Sequence, residues 1–105
     1  MNNIRVLEAD EKGTPVKYEI FTSDRCFAEI LFQNGTIPEV GVNGVQFEDL
    51  IKICINRLEH FQKGDFNCRE NAIALTHLES ALLWLQNRTE KRKNQGVEGK
   101  YINHG

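Results

Sequence analysis

The sequence predicts an α+β chain in which an antiparallel β-sheet is followed by a pair of α-helices. Two observations carry this: β-branched and aromatic residues crowd two segments of the N-terminal third, and after Phe47 apolar residues recur at helical spacing. With 105 residues the chain supports one modest core, and 40% hydrophobic with 27% charged residues sits near globular averages. The expectation is a single domain over 1–105, with a β region at 1–44, a two-helix region at 45–100 and a tail at 101–105.

Val16 to Phe21 and Cys26 to Phe32 read as strands, and Asn34-Gly35 is a type I′ hairpin signal, so Thr36 to Val40 is expected to return as a third strand. Pro38 cannot donate to a ladder and confines that strand to an edge. Gly41 and Asn43-Gly44 then end the sheet as turn residues.

From Phe47 to about Lys63, Leu50, Ile51, Cys54, Leu58 and Phe61 mark an amphipathic helix that Gly64 stops. Asn67-Cys68-Arg69-Glu70 has the form of a capping box with Asn67 as N-cap. Leu75, Leu78, Leu82 and Leu85 continue a second helix toward Asn94, with Trp84 expected beside them in the core. Such a helix spans about 40 Å, more than the roughly 35 Å width of a compact domain of this size. Part of its apolar stripe should therefore meet another copy, and a homo-oligomer is expected.

Several function classes are excluded. No apolar run reaches the roughly 20 residues of a membrane helix, and the N-terminus lacks a signal-peptide core, so residence in the cytoplasm is expected. Cys26, Cys54 and Cys68 lack the spacing of a zinc site or a disulfide framework and read as reduced, structural thiols. His60, His77 and His104 stand far apart with no nucleophile or metal-ligand set, and no phosphate-binding glycine loop is present. Neither enzyme, metal nor cofactor is expected.

A net charge of −2 argues against nucleic-acid binding over the whole surface. Arg88 to Lys93 is nonetheless a basic stretch, and Arg88 and Arg92 are four residues apart on one helix face, with planar forks suited to phosphate. Solvated arginines at the negative end of the helix dipole are the plain alternative. Phe61 could stack a base, although core packing explains it as well, and Asn71 could read a base edge or ribose hydroxyl from the first turn of the long helix. Arg57, one turn before Phe61, has no carboxylate among its helical neighbours.

Glu39-Val-Gly-Val-Asn-Gly44, Phe61-Gln62, Phe66-Asn-Cys-Arg-Glu-Asn-Ala72, His77-Leu-Glu79, Arg88-Thr89, Arg92 and Gly96-Val-Glu-Gly99 together resemble the Thoeris anti-defence sponge proteins of bacteriophages, over roughly residues 30 to 100. The helical half is also similar to the anti-CBASS sponges. The resemblance implies a phage protein of the host bacterial cytoplasm, a homodimer or a hexamer built from dimers, that sequesters a cyclic ADP-ribose isomer, glycocyclic ADP-ribose, without degrading it. It implies that Phe61 stacks on adenine, Asn71 hydrogen-bonds the ligand, and Arg88 with Arg92 clasps the diphosphate. Hexameric members also hold cyclic dinucleotides at separate pockets, for which chemistry nominates Arg57 together with Arg25. The alternative is a nucleic-acid-binding phage regulator that uses the basic end of the helix; membranes are not expected as partners.

Overall fold

The computed structural model describes residues 1–96, with side chains to Lys93; the expected tail, His104 and the Val97-Glu-Gly99 part of the quoted motif lie outside the described residues. The chain falls into two compact units that divide between Gln46 and Phe47. The first is α+β, with a three-stranded antiparallel sheet of order β1-β2-β3; the second is a pair of helices.

Strands β2 (Pro15–Thr22) and β3 (Arg25–Leu31) match the two expected segments, and β1 (Asn3–Ala9) is an additional edge strand. Asp10 builds the β1–β2 turn: its Oδ1 accepts the backbone N–H groups of Lys12 and Thr14, each at 2.9 Å, and Gly13 supplies the positive φ of 86°. The antiparallel register places Ile4, Ile20 and Ala28 in one row and Val6, Tyr18 and Ile30 in another, so alternation gives the sheet an apolar face. Tyr18 meets Phe32 edge to face there, with centroids 5.7 Å apart.

The opposite face is polar. Arg5, Glu19 and Glu29 lie opposite one another, and Arg5 donates from Nε to Glu19 Oε1 at 2.6 Å. The Cys26 thiol, also bonded to Glu19, together with Arg5 holds that carboxyl below its ordinary pKa; the same bond, helped by desolvation, pushes the thiol up.

The expected strand at Thr36 to Val40 is instead a short helix, α1 (Ile37–Val40). Pro38 occupies its first turn, where a missing N–H costs nothing and the fixed φ favours helix. Gly35 does adopt a positive φ of 88°, but side-chain amides close the segment in place of a ladder. Asn43 accepts from Asn34 N–H at 2.8 Å and donates to Asn34 carbonyl at 2.7 Å, while Gln33 donates to the Gly41 carbonyl at 2.9 Å. The chain then returns beside the end of β3, with Phe32 bridged to Val45. Gly44 serves that return: a Cβ at this position would lie 2.5–2.6 Å from backbone atoms of Leu31 and Phe32.

In the second unit, α2 (Phe47–Lys63) has the expected bounds, and α3 (Arg69–Gly96) runs 28 residues. They form an antiparallel hairpin, since Gln62 reaches Cys68 at one end and Glu48 reaches Thr89 at the other. Ile51, Ile55 and Leu58 of α2 and Leu75, Leu78, Leu82 and Leu85 of α3 are half-buried and form the seam. Cys54 is exposed, and so is Trp84 at 70%. The expectation of a core Trp84 fails because Leu82 and Leu85 define the inner face, and residue 84 is turned roughly 200° and 100° from them at 100° per residue.

The cap of α3 also differs from the expected box. Arg69 opens the helix, so Cys68 rather than Asn67 is its cap, and its Sγ accepts the Asn71 N–H at 3.4 Å. Gln62 holds Cys68 from both sides: its Nε2 donates to the Cys68 carbonyl and its Oε1 accepts the Cys68 N–H, both at 3.1 Å. A side-chain amide thus fixes the turn between helices as a strand partner would. Gln62→Ala is expected to cost about 1–3 kcal/mol for two lost bonds, lowering the thermal midpoint read by circular dichroism and raising amide exchange at 64–70.

Only Val16 among the described apolar residues is buried, at 7% exposure. Leu83 and Trp84, both about two-thirds exposed, lie side by side on α3, outside the seam.

Candidate ligand-binding site

The four residues expected to bind one ligand fall at the two ends of the hairpin. Phe61 and Asn71 lie at the turn. The Phe61 ring is 5.9 Å from that of Phe66, tilted by 45°, and the Asn71 amide donates to the Phe66 carbonyl at 3.4 Å. The Arg57 guanidinium sits 4.9 Å from the Phe61 centroid, a cation–π contact that follows from i,i+4 spacing. The structure therefore brings Arg57 to Phe61. Arg25 lies in the first unit, exposed and stacked 4.9 Å from the Phe27 ring.

Arg88 and Arg92 lie at the other end, on the continuation of the seam beyond Leu85 rather than on the outer face, and both are half-buried. The Arg88 guanidinium is 5.9 Å from the Phe47 centroid. Arg92 Nε is buried and finds no hydrogen-bond acceptor among the described residues. Glu48, from the first turn of α2, enters the same cluster: its Oε2 lies 3.4 Å from the Thr89 hydroxyl, and its Oε1 is buried without a donor among the described residues.

Asn71 and Arg88 are 17 residues apart on one helix, about 25 Å at 1.5 Å per residue. The expected site residues therefore fall into two groups, an aromatic–amide end and an arginine end. Glu48, Thr89 and Phe47 join the arginine end although the sequence pattern did not single them out as ligand-binding. The signal available was the 3-4 stripe Leu75, Leu78, Leu82, Leu85, which extended by one turn reaches Arg88 and Thr89 and by two turns Arg92.

Elsewhere, His60 and His77 are exposed. Among the described residues, Glu19, Cys26 and Glu29 offer ligand atoms within 4.8 Å of one another, but Arg5 already neutralises Glu19 and would repel a cation. No helix among the described residues is long and apolar enough to cross a membrane.

The fold and this cluster define a helical-hairpin protein with two arginines half-buried at one end. A family model described as Acb2/Tad1, hairpin domain, matches residues 25–90, and the chain belongs to that family. It is 56% identical over 72 residues to Thoeris anti-defense 1 of Bacillus phage SBSphiJ7, a match covering 69% of this chain and 51% of the phage protein. The chain thus spans about half the length of that curated relative. Strands β1 and β2 and Arg92 lie outside the residues matched by the family model.

Proposed function

We propose that this protein is a phage anti-defence sponge that captures a cyclic ADP-ribose isomer, glycocyclic ADP-ribose, and withholds it from the host immune effector without degrading it. The observation that carries the reading is the placement of Arg88 and Arg92 on the hairpin seam. Solvated arginines that merely answer the helix dipole would project outward, whereas these are half-buried and the Nε of Arg92 has no acceptor among the described residues. A diphosphate supplies acceptors for both forks. Kinship with a protein named for countering Thoeris supplies the biological context.

The two groups become one pocket if two hairpins associate head to tail, so that Phe61 and Asn71 of one copy face Arg88 and Arg92 of another. Energetics favour this arrangement. A nanomolar complex requires about −12 kcal/mol, charge-assisted bonds contribute about 1.5–3 kcal/mol each, and association costs about 4–15 kcal/mol. Enclosure between copies removes water and strengthens each charge interaction. Exposed Leu83 and Trp84 on α3 give the association an apolar surface. Cyclic dinucleotides at a separate pocket, with Arg57 as a cation, belong to the same proposal.

Calorimetry with a panel of cyclic ADP-ribose isomers and cyclic dinucleotides tests the reading, alongside sedimentation at micromolar concentration. A dimer or hexamer binding one isomer, with intact ligand recovered after heat denaturation, is the expected result. No binding across the panel would refute it, degraded ligand would indicate an enzyme, and a salt-sensitive shift of DNA or RNA alone would indicate a nucleic-acid-binding regulator.

A further inference from the structure

The arginine end contains a group that the capture of an anion does not explain. Glu48 places a carboxylate against Thr89, one residue from Arg88 and three from Arg92. Among the described residues no donor reaches Oε1, which is buried. Oε2 has only the Thr89 hydroxyl at 3.4 Å, and that hydroxyl owns a single proton and has a nearer acceptor, the Leu85 carbonyl at 3.1 Å. A carboxylate accepts and cannot donate, so a buried one short of donors is costly unless a bound molecule provides them.

We propose that Glu48 is a specificity-determining acceptor of a hydrogen bond from a ribose hydroxyl of the ligand whose phosphates Arg88 and Arg92 hold. The inference rests on the sponge reading and narrows it. Arginines donate only, so they recognise phosphate and cannot accept from the O–H of a sugar hydroxyl. A carboxylate beside them answers the remaining feature of a nucleotide, its hydroxyl donors. Together the three groups distinguish a ribose phosphate from inorganic phosphate, pyrophosphate or a deoxyribose analogue. A bond from a hydroxyl to a charged acceptor corresponds to about a 10- to 100-fold change in affinity.

Coulomb attraction alone makes the opposite forecast, which makes the test decisive. Removing a negative charge from the end of the hairpin that carries Arg88 and Arg92 should tighten the binding of any phosphate. The measurement is calorimetry of wild type, Glu48→Leu and the isosteric Glu48→Gln with the cyclic ADP-ribose isomer that wild type binds most tightly, and with analogues of it that each lack one ribose hydroxyl. Glu48→Leu is expected to weaken the parent ligand about 10- to 100-fold. One deoxy analogue should lose as much with wild type and nothing further with Glu48→Leu. Glu48→Gln, which keeps a neutral acceptor, should fall between them, and circular dichroism checks that both variants fold.

Equal or tighter binding of the parent by Glu48→Leu and Glu48→Gln would overturn the inference while leaving the sponge reading intact. Equal losses of every deoxy analogue with wild type and variant alike would overturn it too. Failure of wild type to bind any isomer would remove the reading itself and Glu48's role with it.

Discussion

The double variant Arg88→Ala/Arg92→Ala is expected to lose measurable binding of cyclic ADP-ribose isomers in calorimetry, a weakening of about a thousandfold or more, while its helical circular dichroism signal persists. The size follows from two charge-assisted contacts at about 2 kcal/mol or more each in a partly dehydrated cluster, with each 1.4 kcal/mol worth tenfold. Stability should not fall in parallel, because the pair carries like charges one turn apart, which disfavours a helix slightly. Arg92→Lys refines the outcome. It keeps the charge but not the fork, so partial loss is expected if bidentate geometry matters and none if charge alone suffices. Retention of tight binding by the double variant would place the ligand elsewhere, with the Arg57 and Phe61 pair the next surface to test.

The second large effect concerns stability rather than binding. Gly44→Ala should destabilise the first unit by about 2 kcal/mol or more, as overpacking against a rigid neighbour does. The added Cβ would sit 2.5–2.6 Å from Phe32 and Leu31 backbone atoms, which cannot rotate aside as a side chain can. Displacing them stretches the Val45 N–H to Leu31 carbonyl bond of 2.7 Å and the Gln33 N–H to Val45 carbonyl bond of 2.8 Å. For a domain of this size about 2 kcal/mol corresponds to a fall of about 8–16 °C in the midpoint, measurable by scanning calorimetry. Gly13→Ala is a useful comparison, since no atom crowds that position and only its positive φ of 86° opposes a side chain.

Gly44 also shows where the sequence could be read and where it could not. A glycine after asparagine reads as a turn, and nothing local separates a turn from a close backbone approach. Asn34-Gly35 misled for a related reason: a positive φ at Gly35 fits a hairpin, but Pro38 suits the first turn of a helix as well as an edge strand, and the amides of Gln33 and Asn43 decided between them. Strand β1 was legible in principle from the alternation Ile4, Arg5, Val6, yet its wholly exposed pattern gives a weak signal. Both long helices were plain, because a seam of leucines and isoleucines at 3.6-residue spacing has no other reading over such lengths, and Gly64 stops the first.

At the arginine end, residue types were legible and their grouping was not. Arg88 and Arg92 announce a face by spacing alone. Glu48 joins them only because an antiparallel hairpin returns the start of α2 to Thr89, 41 positions later in the chain. The same return separates Phe61 and Asn71 from the arginines, which a list of ligand-binding residues cannot express.

Burial has a further meaning in this chain. Val16 is the one apolar side chain sealed from solvent among the described residues, while Leu83 and Trp84 face outward. In most small domains, intolerance to substitution follows depth, and the surface drifts freely. If a second copy covers α3, that map inverts here: outward leucine and tryptophan become constrained positions, and their tolerance to change varies with how much protein the infected cell has made.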